Sequence, residues 1–349
     1  MLKKRTARFA GIAVALGLLF PALSATAKDK VVIGELNWPG AVAIEHVLGE
    51  VISTRLGGDV SYLAGDLPVL LAAAAKNDGA VDVVPDVWLP NESAPWAKYV
   101  SGGTRSLVPN VHPYVGVQGF YIPGYIQDKY GVKSVYDLRK PEIAKLFVPV
   151  GGGKAQLLVG PAGWGSTYIG EVKAKDYGFA NSFDSVSTEA AATYARLEAA
   201  YRQNRGIVFY AYTPDWIFSA FDLRRLDEPA FDGYAQEDKK GDPQYKADGC
   251  WKFINPTTDS DWLNKSHITC AYPDAKVYVL AARSLQTRSP KIAAFLSNVS
   301  FDPVALNELI LKIQKNHEPA DAAAKAWVAA HRSTVDAWLA GDAKPSNAK

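Results

Sequence analysis

The chain has 349 residues, 48% hydrophobic and 21% charged, with a formal net charge of +2. Lys3, Lys4, Arg5 and Arg8 stand in the first 27 positions with no acid among them, so the balance without that segment is −2. A near-neutral chain lacks the electrostatic footprint of a nucleic-acid binder.

In chain order, the basic start leads into the apolar run FAGIAVALGLLF, residues 9–20, and then Ala25-Thr26-Ala27. This predicts a secretory signal peptide over 1–27. The run is shorter than the roughly 20 residues that span a bilayer. The mature protein is therefore expected in a bacterial periplasm, as a monomer. Its two cysteines, Cys250 and Cys270, are expected to form a disulfide in that oxidising compartment. With no second pair and no nearby His, they make a poor zinc site.

VVIGEL (31–36) predicts a strand, and AVAIEHVLGEVISTRLG (41–57) a helix stopped at Gly57-Gly58. DVSYLAG (59–65) predicts a strand, DLPVLLAAAAKNDG (66–79) a helix with Pro68 in its first turn, and VDVVPDVWL (81–89) a third strand. This β-α-β-α-β order signals a mostly parallel sheet with helices on its faces. Beyond it come a strand at GVQGFYIP (116–123), short helical turns in KSVYDLRKPEIAKLF (133–147), a helix at AATYARLEAAYRQNR (191–205) and a strand at GIVFYAY (206–212). Residues 224–273 are irregular, and the cysteine pair would tie them down. VYVLAA (277–282) is a strand, helices divided by Pro303 and Pro319 run from Pro290 to about Leu339, and the tail from Gly341 is expected to be disordered. The expected organisation is two α/β lobes, one from 28–114 plus 225–349 and one from 115–224.

Catalytic motifs are missing. Gly160-x4-Gly165-Ser166-Thr167 has near phosphate-loop spacing without its lysine. There is no G-x-S-x-G elbow and no H-E-x-x-H, and the five histidines stand alone. No catalytic residue, metal ligand or cofactor is assigned.

The aromatic residues are informative. Nine Trp and 17 Tyr are many for this length, and five aromatics stand at predicted strand ends, where ligands of α/β sheets bind. These are Trp38, Trp88, Tyr121, Trp164 and Tyr212. A quaternary ammonium ion is held weakly by water but is attracted to aromatic faces, at about 0.5–2 kcal/mol per desolvated contact. A ring cage suits such an ion. The backbone N–H groups of Trp164 and Gly165, with the Ser166 and Thr167 hydroxyls, are candidate donors to a ligand carboxylate at a helix start. Trp96, Trp251, Trp262, Trp327 and Trp338 are assigned to structure; the last two lie three helical turns apart.

VDVVPDVWLP (81–90), DLRKPEIAKLF (137–147), PAGWGS (161–166), VFYAYTPDW (208–216) and KAWVAAHRSTVDAWL (325–339) resemble the periplasmic substrate-binding proteins of ABC importers for glycine betaine, proline betaine, choline and carnitine. The resemblance implies a two-lobed periplasmic binding protein fold of type II, with two hinge strands and the ligand in the interlobe cleft. It also implies a quaternary-amine ligand and a membrane permease as partners. Trp88, Trp164 and Trp38 match cage tryptophans of that family, and Tyr212 stands where glycine betaine binders usually have tryptophan. Choline-type members carry an acid two positions after the first tryptophan, where this chain has Gly40, which argues against choline. A binding protein for choline or another small amine or amino acid, and an exported α/β enzyme, are the alternative readings.

Overall fold

The computed structural model describes Met1 and residues 28–342. The expected signal peptide, apart from Met1, and the tail from residue 343 lie outside the described residues.

β1 (Lys30–Glu35), β2 (Asp59–Ala64) and β3 (Val83–Leu89) lie parallel in the order β2-β1-β3. Helices Pro39–Arg55 and Leu67–Ala74 provide the two crossovers. The first opens on Pro39, whose missing N–H costs nothing at a helix start, and it buries Ile44, Val47, Leu48, Val51 and Ile52 at helical spacing. β4 (Leu107–Pro109) is short, and β5 (Tyr114–Pro123) is the crossing strand. β6 (Ala155–Gly160), β7 (Phe183–Ser187) and β8 (Val208–Thr213) form the second half, followed by β9 (Leu223–Arg225), β10 (Trp251–Lys252), β11 (His267–Ile268) and β12 (Ala275–Ala282).

One curled sheet runs β2-β1-β3-β12-β5-β8-β6-β7. Tyr114–Gly116 of β5 pairs with β12, and Val117–Tyr121 pairs with β8. The antiparallel strands β5 and β12 thus lie side by side where the lobes join. β6 and β7 were not predicted from the sequence. β6 is six residues long, between the Gly151–Gly153 run and Gly160, and such short apolar runs carry no distinctive period. The C-terminal helices Pro290–Asn298, Pro303–Gln314, Ala320–Ala330 and Arg332–Ala340 pack on the first lobe. Trp327 and Trp338 stack with ring centroids 6.0 Å apart, in the buried stripe expected of them.

Cys250 and Cys270 are disulfide-bonded, beside the β10–β11 ladder. The expected boundary at 225 puts this irregular stretch with the first lobe, but its contacts run to helix Gly165–Asp176 of the second. Lys175 Nζ donates to the Leu263 and Ser266 carbonyls at 2.7 Å, and Ile268 N–H donates to Asp176 at 2.6 Å. Lys173 is wholly buried, with Nζ 2.5 Å from Glu228 and 4.1 and 5.5 Å from the ring centroids of Tyr272 and Trp251.

Candidate ligand-binding site

Trp38 is the residue before helix Pro39–Arg55, just past the end of β1, and Trp88 is the penultimate residue of β3. Across the cleft, Trp164 caps helix Gly165–Asp176 after β6, and Tyr212 lies near the end of β8. The four rings meet around one cavity. Trp38 and Trp164 are edge to face with centroids 5.1 Å apart, as are Trp88 and Tyr212 at 5.1 Å, and Trp164 lies 6.3 Å from Tyr212. Leu67, Asn91, Glu92, Gly165, Ser166 and Tyr210 complete the wall, and the space is about 340 Å³ including its mouth. Asn37 Nδ2 donates to Glu189 at 3.1 Å across the cleft.

Two glycines let these walls approach. A Cβ on Gly165 would stand 2.2 Å from the Asn91 carbonyl oxygen, and one on Gly116 would stand 2.3 Å from two ring carbons of Trp88. Each position therefore needs hydrogen in place of a side chain.

Tyr121 does not join the cage. It packs against Phe218 with centroids 4.9 Å apart, and its backbone pairs with Phe209 and Arg225. Side chains alternate along a strand, so Gln118 of β5 faces the cavity-wall residues Asn91 and Tyr210, while Tyr121, three residues on, faces the other way. The same alternation puts Tyr210 beside Tyr212, a neighbour that the sequence reading missed.

The expected carboxylate donors are mostly engaged. Trp164 N–H donates to the Pro161 carbonyl at 3.3 Å, and the Thr167 hydroxyl donates to the same carbonyl at 2.6 Å. The Gly165 N–H faces the carboxyl of Glu92. Ser166 Oγ is buried without a partner, as are Asn91 Oδ1 and Gln118 Nε2. Burial pushes the Glu92 carboxyl up to about 7, and the Gly165 N–H is the group that draws it back down.

A second acid lies behind the rings. Asp86 is 1% exposed and has φ +57°, a left-handed conformation that aspartate tolerates, beside an irregularity in the β3–β12 ladder. Trp38 Nε1 and the Tyr114 hydroxyl each donate to its carboxylate at 2.5 Å, and the Trp88 side chain lies close enough to act on it. Burial raises the Asp86 pKa, and these three side chains lower it. A Cβ on Gly40 would stand 3.0 Å from Asp86 Oδ2. A carboxylate oxygen of Asp86 thus lies where a side chain at position 40 would begin.

Among the described residues no His/Cys/Asp/Glu cluster fits a metal ion, and no helix is long and apolar enough to cross a membrane. Two curated proteins illustrate the likeness. The chain is 22% identical over 229 residues to the glycine betaine-binding periplasmic protein OusX of Dickeya dadantii, covering 64% of this chain and 63% of that protein. It therefore spans less than two thirds of that relative's length. It is 23% identical over 323 residues to the trimethylamine N-oxide-binding protein of Pelagibacter ubique, covering 89% of this chain and 90% of that one. Among solved structures, lactococcal OpuAC complexed with glycine betaine superposes with TM-score 0.66 at 21% identity, over 89% of this chain and all of that one. An ABC-transporter choline binding protein in complex with choline gives TM-score 0.66 at 18% identity, over 90% and 92%. These neighbours share the two-lobed fold. Residues 29–330 match the substrate binding domain of ABC-type glycine betaine transport systems, and the chain belongs to that family.

Proposed function

We propose that the mature protein, in the periplasm, captures a compact methylated ammonium compound in the Trp38, Trp88, Trp164 and Tyr212 cage and delivers it to the permease of an ABC importer. The observation that carries this reading is the convergence of four rings, two from each lobe, on one cavity. Such walls match the weakly hydrated face of a trimethylammonium or dimethylammonium group. Closing the lobes removes water from both sides of the ion. Glycine betaine, proline betaine and carnitine-like zwitterions carry such a group.

A second reading concerns the polar end of the ligand. Glu92 faces the Gly165 N–H that a ligand carboxylate would use, and a carboxyl held up to about 7 is partly protonated near neutrality. A protonated Glu92 donates to a compact anionic oxygen. This favours an N-oxide oxygen over a bulkier carboxylate, in keeping with the trimethylamine N-oxide-binding relative that aligns over 89% of the chain.

Calorimetry on residues 28–349, stripped of ligand by unfolding and refolding, tests both readings. The ligands are glycine betaine, proline betaine, carnitine, choline, trimethylamine N-oxide and proline. The expected result is one tight site for a methylated ammonium ligand, retained without turnover, and no response to proline. Silence from every methylated amine would overturn the cage, and steady turnover would make the protein an enzyme. Tighter binding of the N-oxide than of glycine betaine supports the Glu92 reading, and the reverse order refutes it.

A further inference from the structure

Asp86 holds one of the four cage rings by its N–H edge and lies beside a second. Its Oδ2 accepts from Trp38 Nε1 and its Oδ1 from the Tyr114 hydroxyl, each at 2.5 Å, and the Trp88 side chain lies close enough to act on it. An indole N–H can only donate, so these partners satisfy a carboxylate acting as acceptor. Among the described residues no lysine, arginine or histidine pairs with it: the charges acting on the cage side are acids and tyrosines. A buried carboxylate without a counter-ion is costly, and such groups are normally paired. The same two side chains, Trp38 and Trp88, line the cavity.

Resting on the cage reading above, we propose that Asp86 is the counter-charge of the cage. Ionised, it fixes the Trp38 indole through its N–H group and supplies, beside Trp38 and Trp88, the negative potential that the ligand's ammonium completes. Two consequences follow from the geometry. The carboxylate polarises the indoles in the sense that makes their faces more attractive to a cation. It also makes the site discriminate charge as well as shape, because a neutral ligand of the same outline leaves Asp86 unpaired. Asp86 is thus a positioning and selectivity residue that acts through the rings without touching the ligand.

The test separates charge from shape. Glycine betaine is paired with 3,3-dimethylbutanoate, and choline with 3,3-dimethylbutanol; in each pair carbon replaces the quaternary nitrogen. Affinities are measured by calorimetry, or by competition where they are weak, for wild type and Asp86→Asn. Wild type should prefer the cation in whichever pair it binds. Asp86→Asn should weaken the cation by about tenfold or more and leave the isostere within about threefold, so that the preference collapses. Equal loss for cation and isostere would reduce Asp86 to a structural support, and unchanged cation affinity would remove it from the site; either result overturns the proposal. Asparagine turns an N–H towards one indole, so the comparison is repeated between Trp38→Phe and Trp38→Phe/Asp86→Asn, where that clash is absent. The same collapse of preference is expected there. If wild type binds no cation of either pair, the cage reading fails, an outcome distinct from binding without charge preference, which overturns the Asp86 proposal alone.

Discussion

Gly116→Ala places a methyl group where Trp88 now stands. The new Cβ would lie 2.3 Å from Trp88 Cη2 and Cζ3 and 3.2 Å from the Thr213 carbonyl oxygen. Carbon atoms settle at about 3.5–4.0 Å, so the ring must retreat by about 1.2 Å or more. Its paths are restricted. Tyr114 holds one side at a centroid distance of 6.1 Å, and Tyr212 stands 5.1 Å away. The ring therefore moves into the cage or strains its contact with Asp86. Overpacking of this kind costs about 1–3 kcal/mol of stability. Loss of one good cation–ring contact, at about 1–2 kcal/mol, lowers affinity by about five- to thirtyfold. The assay is a double-mutant cycle by calorimetry and urea unfolding. In a Trp88→Ala background the methyl meets no ring, so Gly116→Ala should change affinity by less than about twofold there. Wild-type affinity in Gly116→Ala, or the same loss in both backgrounds, would refute the reasoning.

Trp164→Ala should weaken binding of a methylated ammonium ligand by about tenfold or more, whereas Tyr121→Phe should leave affinity within about twofold, as calorimetry would show. Glu45 is fully buried, accepts the Leu36 N–H at 3.2 Å and leaves Oε1 without a partner, and burial pushes its pKa up to about 9 from the ordinary 4.5. The folded state therefore holds the proton more tightly, and the stability this contributes is lost as pH rises from about 4.5 to about 9. Glu45→Gln should match wild type near pH 5 and exceed it by a few kcal/mol near pH 9 in urea titrations. Reducing the Cys250–Cys270 disulfide, which spans a sequence separation of 20, should cost about 3 kcal/mol in unfolding free energy, and two free thiols in unreduced denatured protein would contradict the bond.

The parallel βαβ start and the convergence of Trp38, Trp88 and Trp164 on one cavity were legible because they depend on local pattern and on position at strand ends. The burial period of residues 41–52 and the punctuation at Gly57-Gly58 mark helix Pro39–Arg55 well. Tyr121 misled because end-of-strand position was read without strand parity, which also concealed Tyr210. Glu92 lies in the turn that begins after β3, where no period indicates the direction of a side chain. Asp86 was hidden for a different reason. Its positive φ and the adjacent ladder irregularity break the alternation, so no repeat in VDVVPDVWL shows that its carboxylate turns towards Trp38, 48 positions earlier in the chain.

Lys173 gives the site a foundation that the ligand does not have to build. It lies eight residues along helix Gly165–Asp176 from Gly165, about 12 Å by helical rise. Its ammonium sits among Tyr272, Trp251, Tyr177 and Phe120, and is neutralised by Glu228. The molecule therefore contains a second aromatic box, already loaded with a cation of its own. A tethered cation loses no translational freedom when it enters, so this box fills as the chain folds. The helix is thereby fastened near its far end, and its near end, which carries Trp164 and Gly165, acts as a fixed jaw. The ordering of that wall is completed in folding, before any ligand arrives.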